Sequence, residues 1–212
     1  MEFEIPNCVK IIEPQILSFG TEEDLRSAIP ILFKRCDPKI KDFKYYPFYD
    51  KVIKYLSNDN GKGMIIYRED GDNTVNNGLG KSVWINKIYP TLLWNVYKKS
   101  PIMLNGADFD RNILPKIDEI LKIEGRQTLI FDEMCREPLE INDFGNKIKP
   151  MERIFDHADR FGWKIIGATN YTKSQVGAHY NSNHLSDRIR SLCLSIECSD
   201  ISSRESAKNL FV

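Results

Sequence analysis

The chain has 212 residues, enough for one full hydrophobic core with a small appendage. Thirty Lys and Arg residues balance 30 Asp and Glu, so bulk charge announces neither a nucleic-acid surface nor a strongly acidic or basic partner. The 5 cysteines are scattered without a C-x-x-C pair, and His157, His179 and His184 lack metal-ligand spacing, which points away from a disulfide framework or a zinc module and toward free thiols in a reducing compartment.

The opening MEFEIPNCVK lacks the basic-then-apolar build of a signal peptide, and no apolar run approaches the roughly 20 residues that span a bilayer. A soluble, cytoplasmic protein without a membrane partner is expected. TEEDLRSAIPILFKRC (21–36) starts with a capping-box pattern, Thr21 followed by Asp24, and is expected to be a helix interrupted near Pro30. Residues 1–42 form a short helical arm, either packed on the core or binding a partner; residues 43–212 form the main domain. YPFYDKVIKYLSN (46–58) reads as a helix leading into the first strand.

Five apolar runs then follow: GMIIY (63–67), PIMLNG (101–106), QTLIFDE (127–133), WKIIGATN (163–170) and LCLSIEC (192–198). They are apolar without alternation, as parallel strands covered on both faces are. ILPKIDEILKI, with Ile113, Ile117, Ile120 and Leu121 on one face, and KPMERIFDHADRF, with Met151, Ile154, Phe155 and Ala158, are amphipathic helices between them. The apolar segment after Ser82 contains Pro90, so its helix is expected to end or kink near Tyr89. Alternating strands and helices predict an α/β layered sheet.

Four groups of residues bear on chemistry. TVNNGLGKS (74–82) holds the second half of the phosphate-loop pattern G-x-x-x-x-G-K-[ST] in Gly80, Lys81 and Ser82, but Val75 stands where the first glycine belongs, and the nearest upstream glycine is Gly71. Such a loop works because backbone N–H groups at a helix N-terminus converge on anionic oxygens, with lysine adding charge and the hydroxyl binding Mg²⁺. Asn77, Gly78, Leu79, Gly80, Lys81, Ser82 and Val83 are the candidate phosphate contacts; a glycine-rich surface turn is the plain alternative. LIFDE (129–133) delivers Asp132 and Glu133 to a strand end, where one could hold Mg²⁺ and the other could polarise a water; the alternative is two solvated acids. IIGATN ends in Asn170, which could help hold that water or simply cap a helix or a turn. HLSDRIRS carries Arg188 and Arg190, either of which could reach a neighbouring subunit's nucleotide, or be a surface charge. All four fall at carboxyl ends of predicted strands or just before one, where open α/β sheets bind ligands.

With GLGKS (78–82), LIFDEM (129–134), DRFGWKIIGATN (159–170), LSDRIRS (185–191) and SSR (202–204), the chain resembles the AAA+ ATPases of the DnaC type, the bacterial and phage replicative-helicase loaders, over about residues 43–205. The IstB-type transposition helper ATPases share nearly all of this pattern. The resemblance implies a three-layer P-loop NTPase with a five-stranded parallel sheet and no separate lid domain. It also implies ATP hydrolysis with Mg²⁺. Lys81 and Ser82 would hold phosphates and Mg²⁺, Asp132 the metal, Glu133 the catalytic water; Asn170 would be the first sensor and Arg188 the arginine finger, with Arg190 as its rival. Implied partners are a replicative DNA helicase, single-stranded DNA and further copies of the chain across the ATP site. Two departures stand out: a short arm, and Val75 with its elongated loop. A divergent phage or mobile-element loader would accommodate both, and a nucleotide-binding interaction module with weak or no catalysis is the other reading they leave.

Overall fold

The computed structural model describes residues 19–36, 48–58, 61–68, 80–109 and 112–198. Val75, Asn77, Gly78, Leu79, most of the 1–42 arm and the SSR of 202–204 lie outside them. The described residues fall into two compact bodies, one of residues 19–36, 48–58, 61, 80–100 and 196–198, the other of residues 62–68, 101–109 and 112–195.

In the first body, helix α1 (Glu22–Cys36) opens as its sequence predicts. The Thr21 N–H donates to Asp24 Oδ2 at 3.1 Å, and the Asp24 N–H donates back to Thr21 Oγ1 at 3.2 Å. The break expected near Pro30 does not occur: α1 passes through it unbroken. Leu25, Ala28, Ile29 and Leu32 are all buried along one face. Burying side chains of that size contributes roughly 1.5–3 kcal/mol each, which outweighs the one hydrogen bond and local crowding that an internal proline costs. Arg26 reaches across to Asp50 of helix α2 (Tyr49–Ser57) at 2.6 Å.

A third helical stretch starts as α3 (Lys81–Val83), widens into a π-helical segment at Trp84–Ile88, and resumes as α4 (Tyr89–Tyr97). The irregularity anticipated near Tyr89 is therefore a change of helix type rather than an end. Pro90 has no N–H and crowds the carbonyl four residues back, and the wider π turn lies over just those residues. Trp84, Ile85, Ile88, Tyr89, Leu92 and Leu93 are buried, and Phe19 packs edge-on against Tyr89 and Tyr97.

The sheet has five parallel strands in the order β2-β3-β6-β1-β7. They are β1 (Gly63–Arg68), β2 (Ile102–Asn105), β3 (Thr128–Asp132), β6 (Lys164–Thr172) and β7 (Cys193–Cys198). Each lies within two residues of the apolar run that predicted it. A small antiparallel hairpin, β4 (Ile141–Asp143) and β5 (Asn146–Ile148), stands apart as its own sheet and was not foreseen. Helices α5 (Ile113–Ile120), α6 (Pro150–Phe161), α7 (Lys173–Tyr180) and α8 (Asn183–Leu192) belong to the second body. Its core joins Ile65, Leu129, Phe131 and Ile165 of the strands to Ile117, Phe155, Val176 and Ile189 of the four helices. That core locks the strand ends to one another.

Candidate nucleotide site

The first body carries the phosphate-loop residues that the structure describes. Gly80 adopts a left-handed conformation, φ +76°, which suits a residue without a Cβ. It caps the helix beginning at Lys81, and its carbonyl accepts the first helical hydrogen bond, from the Trp84 N–H at 2.9 Å. The Lys81 side chain is buried although charged residues of its kind seldom are, Ser82 is exposed, and Val83 is half-buried. Amides of a helix's first turn have no partner within the helix, the geometry that favours an anion.

The second body carries the acids. β3 is buried along its whole length and ends at Asp132, which remains 5% exposed. Asp132 Oδ1 accepts the Glu133 N–H at 2.9 Å. The chain then turns through two left-handed non-glycine residues, Glu133 at φ +53° and Cys135 at φ +73°. Neighbouring β6 holds the turn: the Met134 N–H donates to the Ala168 carbonyl at 3.0 Å, and Thr169 Oγ1 donates to the Met134 carbonyl at 2.8 Å. The Glu133 carboxylate accepts from Arg136 Nη1 at 2.7 Å. Burial, then the nearby Glu137 carboxyl, push the Cys135 thiol up to about 12, so it is neutral and unreactive at physiological pH.

Asn170 follows buried Thr169 and is exposed. It stands inside β6 rather than at its end. The strand runs on to Thr172, where the register pairs Arg68 with Thr172. Nor does Asn170 cap a helix; Thr172 does that for α7, with a complete Thr172–Gln175 capping box. The structure thus sets Asp132 and Asn170 on adjacent parallel strands, with Glu133 in the turn just past the end of β3. Arg188 and Arg190 stand on α8, where they differ. Arg188 is ion-paired with Asp159, and with Asp156 at 3.2 Å, both on α6. Arg190 is 73% exposed and, among the described residues, is ion-paired with Asp187 of its own helix at 3.2 Å.

Two features were missed. Asn105, the last residue of β2, pairs in register with Asp132, and its Oδ1 accepts the Ala107 N–H at 2.8 Å. The polar-residue-at-a-strand-end rule that selected Asp132 would have found it. Glu137 and Tyr180 are the second; 43 positions separate them, and no local pattern links them.

No protein-family model matches the chain, and no curated protein does. Solved structures do. The chain is similar to a protein assigned as a primosome component from Streptococcus pyogenes serotype M3, at 15% identity, with 77% of this chain and 84% of the other covered and a TM-score of 0.51. It is also similar to the DnaC helicase loader, at 14% identity, 78% and 99% coverage and a TM-score of 0.50. The chain shares the α/β fold of the DnaC helicase loader, with its five-stranded parallel sheet. That likeness concerns the fold, which is the one the resemblance of its motifs implied. Among the described residues, no helix is long and apolar enough to cross a membrane.

Proposed function

We propose that the chain binds and hydrolyses ATP, and that nucleotide state governs its assembly with further copies of itself, with single-stranded DNA and with a replicative helicase, as in a DnaC-like loader. The observation that carries this reading is the acidic pair at the end of β3: a buried Asp132 followed by Glu133 in a left-handed turn that bonds to β6 hold in place. Left-handed non-glycine residues persist where surroundings over-determine them, and they cluster at active sites. Glu133 is then the base that orients and takes a proton from the attacking water, and Asn170 on the adjacent strand steadies that water.

The residues suit Mg²⁺ and a triphosphate. Ser82 and Asp132 offer hard oxygen donors, and the left-handed Gly80 opens a helix whose first residue is a lysine. Mg²⁺ held by such a donor would neutralise charge on phosphate oxygens. Lys81 adds a fixed positive charge for the outer phosphates. Of the two candidate fingers, the pairing of Arg188 with α6 favours Arg190 for reading a neighbour's nucleotide and Arg188 as a strut between α6 and α8.

The deciding experiment measures ATP binding and turnover, with and without single-stranded DNA, for wild type, Lys81→Ala and Glu133→Gln. The reading expects turnover in wild type, loss of binding in Lys81→Ala, and binding without turnover in Glu133→Gln. Absence of nucleotide binding in wild type would sink it. Pull-down of a helicase rather than a transposase separates the loader from a transposition helper. One observation favours a second reading, a nucleotide-binding module with weak catalysis: Glu133 spends one carboxylate oxygen on Arg136. Tight nucleotide binding with no turnover under any condition would support that module.

A further inference from the structure

Four residues past Glu133 lies a second glutamate of another kind. Glu137 is 2% exposed, and a buried carboxyl is costly unless it is bonded. Its Oε1 accepts a hydrogen bond of 2.6 Å from the hydroxyl of Tyr180 on α7, a residue itself buried. Its Oε2 has no hydrogen-bond partner among the described residues and lies against Gly106, just past the end of β2. A Cβ at Gly106 would stand 2.9 Å from that oxygen and 2.3 Å from the Glu133 carbonyl oxygen. The turn from Glu133 to Glu137 is therefore gripped from three sides: by β6 through Met134, by α7 through Tyr180, and by the glycine after β2.

We propose that Glu137 is a positioning residue for Glu133: bonded to Tyr180 and seated against Gly106, it holds the left-handed turn in the geometry that aims the Glu133 carboxylate. The inference rests on the reading of Glu133 as the base. Among the described residues, Tyr180 and Cys135 are the titratable groups that interact with Glu137. Burial pushes the Glu137 carboxyl up from its ordinary value, opposed by the Tyr180 hydroxyl and the amides of its own loop. The hydroxyl of Tyr180 needs an acceptor at this position, and glutamine, with nearly the same shape, keeps a carbonyl oxygen for it without a charge.

The test uses the full chain and the variants Glu133→Gln, Glu137→Gln, Glu137→Ala and Tyr180→Phe. It reads kcat and KM for ATP, the Kd of a fluorescent ATP analogue, and thermal unfolding from pH 4 to pH 8. Misplacing a catalytic group by a fraction of its bond length is costly, so Glu137→Ala is expected to lower kcat roughly 10- to 100-fold, with KM and analogue Kd within about twofold. Tyr180→Phe should lower kcat about fivefold, and Glu137→Gln should rescue it to within about threefold of wild type, because the acceptor is kept. A residue serving stability alone would reduce the fraction of binding-competent protein and leave kcat per bound site unchanged.

The unfolding readout is independent of activity. A carboxyl whose folded pKa is raised adds stability that is complete below its ordinary value and is lost as pH rises through the folded one. The advantage in Tm of Glu137→Gln over wild type should therefore grow from pH 4 toward neutrality. A difference flat with pH would mean a solvated Glu137 and would overturn the proposal. So would folded Glu137→Ala turning over within twofold of wild type; if that variant does not fold, Tyr180→Phe decides by the same criterion. Normal turnover in Glu133→Gln would instead remove the base reading, whatever Glu137 does.

Discussion

Two turns in the second body use the same uncommon backbone to different ends. The turn after β3 has Glu133 and Cys135 left-handed; the hairpin tip has Phe144 left-handed at φ +47° beside Gly145 at +89°. Each such residue costs of the order of 1–2 kcal/mol when it is not glycine. At the hairpin the support is local: Asn142 Oδ1 accepts the Gly145 N–H at 3.0 Å, the short strands β4 and β5 pair with each other, and Phe144 itself is entirely exposed. After β3 the support comes from β6, α7 and Gly106, all distant in sequence. A left-handed residue by itself says only that a chain turns. One that several elements hold in place marks a group whose direction is constrained.

The sharpest way to break this comparison is at Glu133. Glu133→Gln should lower turnover by at least about 100-fold with nucleotide affinity retained, the size expected when an essential base is removed. A truncation at the hairpin tip should do nothing comparable.

A matched pair of glycine substitutions comes next. Gly106→Ala drives a Cβ into the Glu133 carbonyl and should destabilise by roughly 1–3 kcal/mol, with turnover falling about tenfold or more. Gly145→Ala meets nothing within 4 Å and suffers only its left-handed backbone, about 1–2 kcal/mol, with turnover unchanged. Chemical denaturation gives the stabilities and steady-state ATPase the rates; equal loss of turnover in both would erase the distinction.

Arg188→Ala and Arg190→Ala test a smaller difference of the same sort. Arg188 is held by two carboxylates of another helix, although it is 37% exposed, so removing it should cost at most about 1 kcal/mol and lower Tm by a few degrees. Arg190→Ala should leave Tm alone and cut the turnover of the assembled protein. The reverse pattern would make Arg188 the finger. The smallest effect belongs to Phe144→Asn. Asparagine tolerates the left-handed region, so stability should rise by no more than about 1 kcal/mol with ATPase unaltered.

What the sequence by itself determined about this protein is what neighbouring residues write. The unalternating apolar runs marked all five parallel strands because a strand covered on both faces must be apolar throughout. The Thr21–Asp24 cap formed because its partners lie one turn apart. The Asp132–Glu133 pair was visible because an acid after such a run can only emerge at the strand's end. Only the tertiary structure decided the rest. Pro30 is carried by a helix whose buried face outweighs its local cost, and the hairpin of β4 and β5 rose from a segment too short and polar to announce strands. The pairing of Arg188 with Asp159 spans 29 positions, the bond of Thr169 to Met134 spans 35, and that of Tyr180 to Glu137 spans 43. Contacts of that reach depend on which strands become neighbours, and strand order follows from how all the covered faces pack at once, which no window of sequence contains.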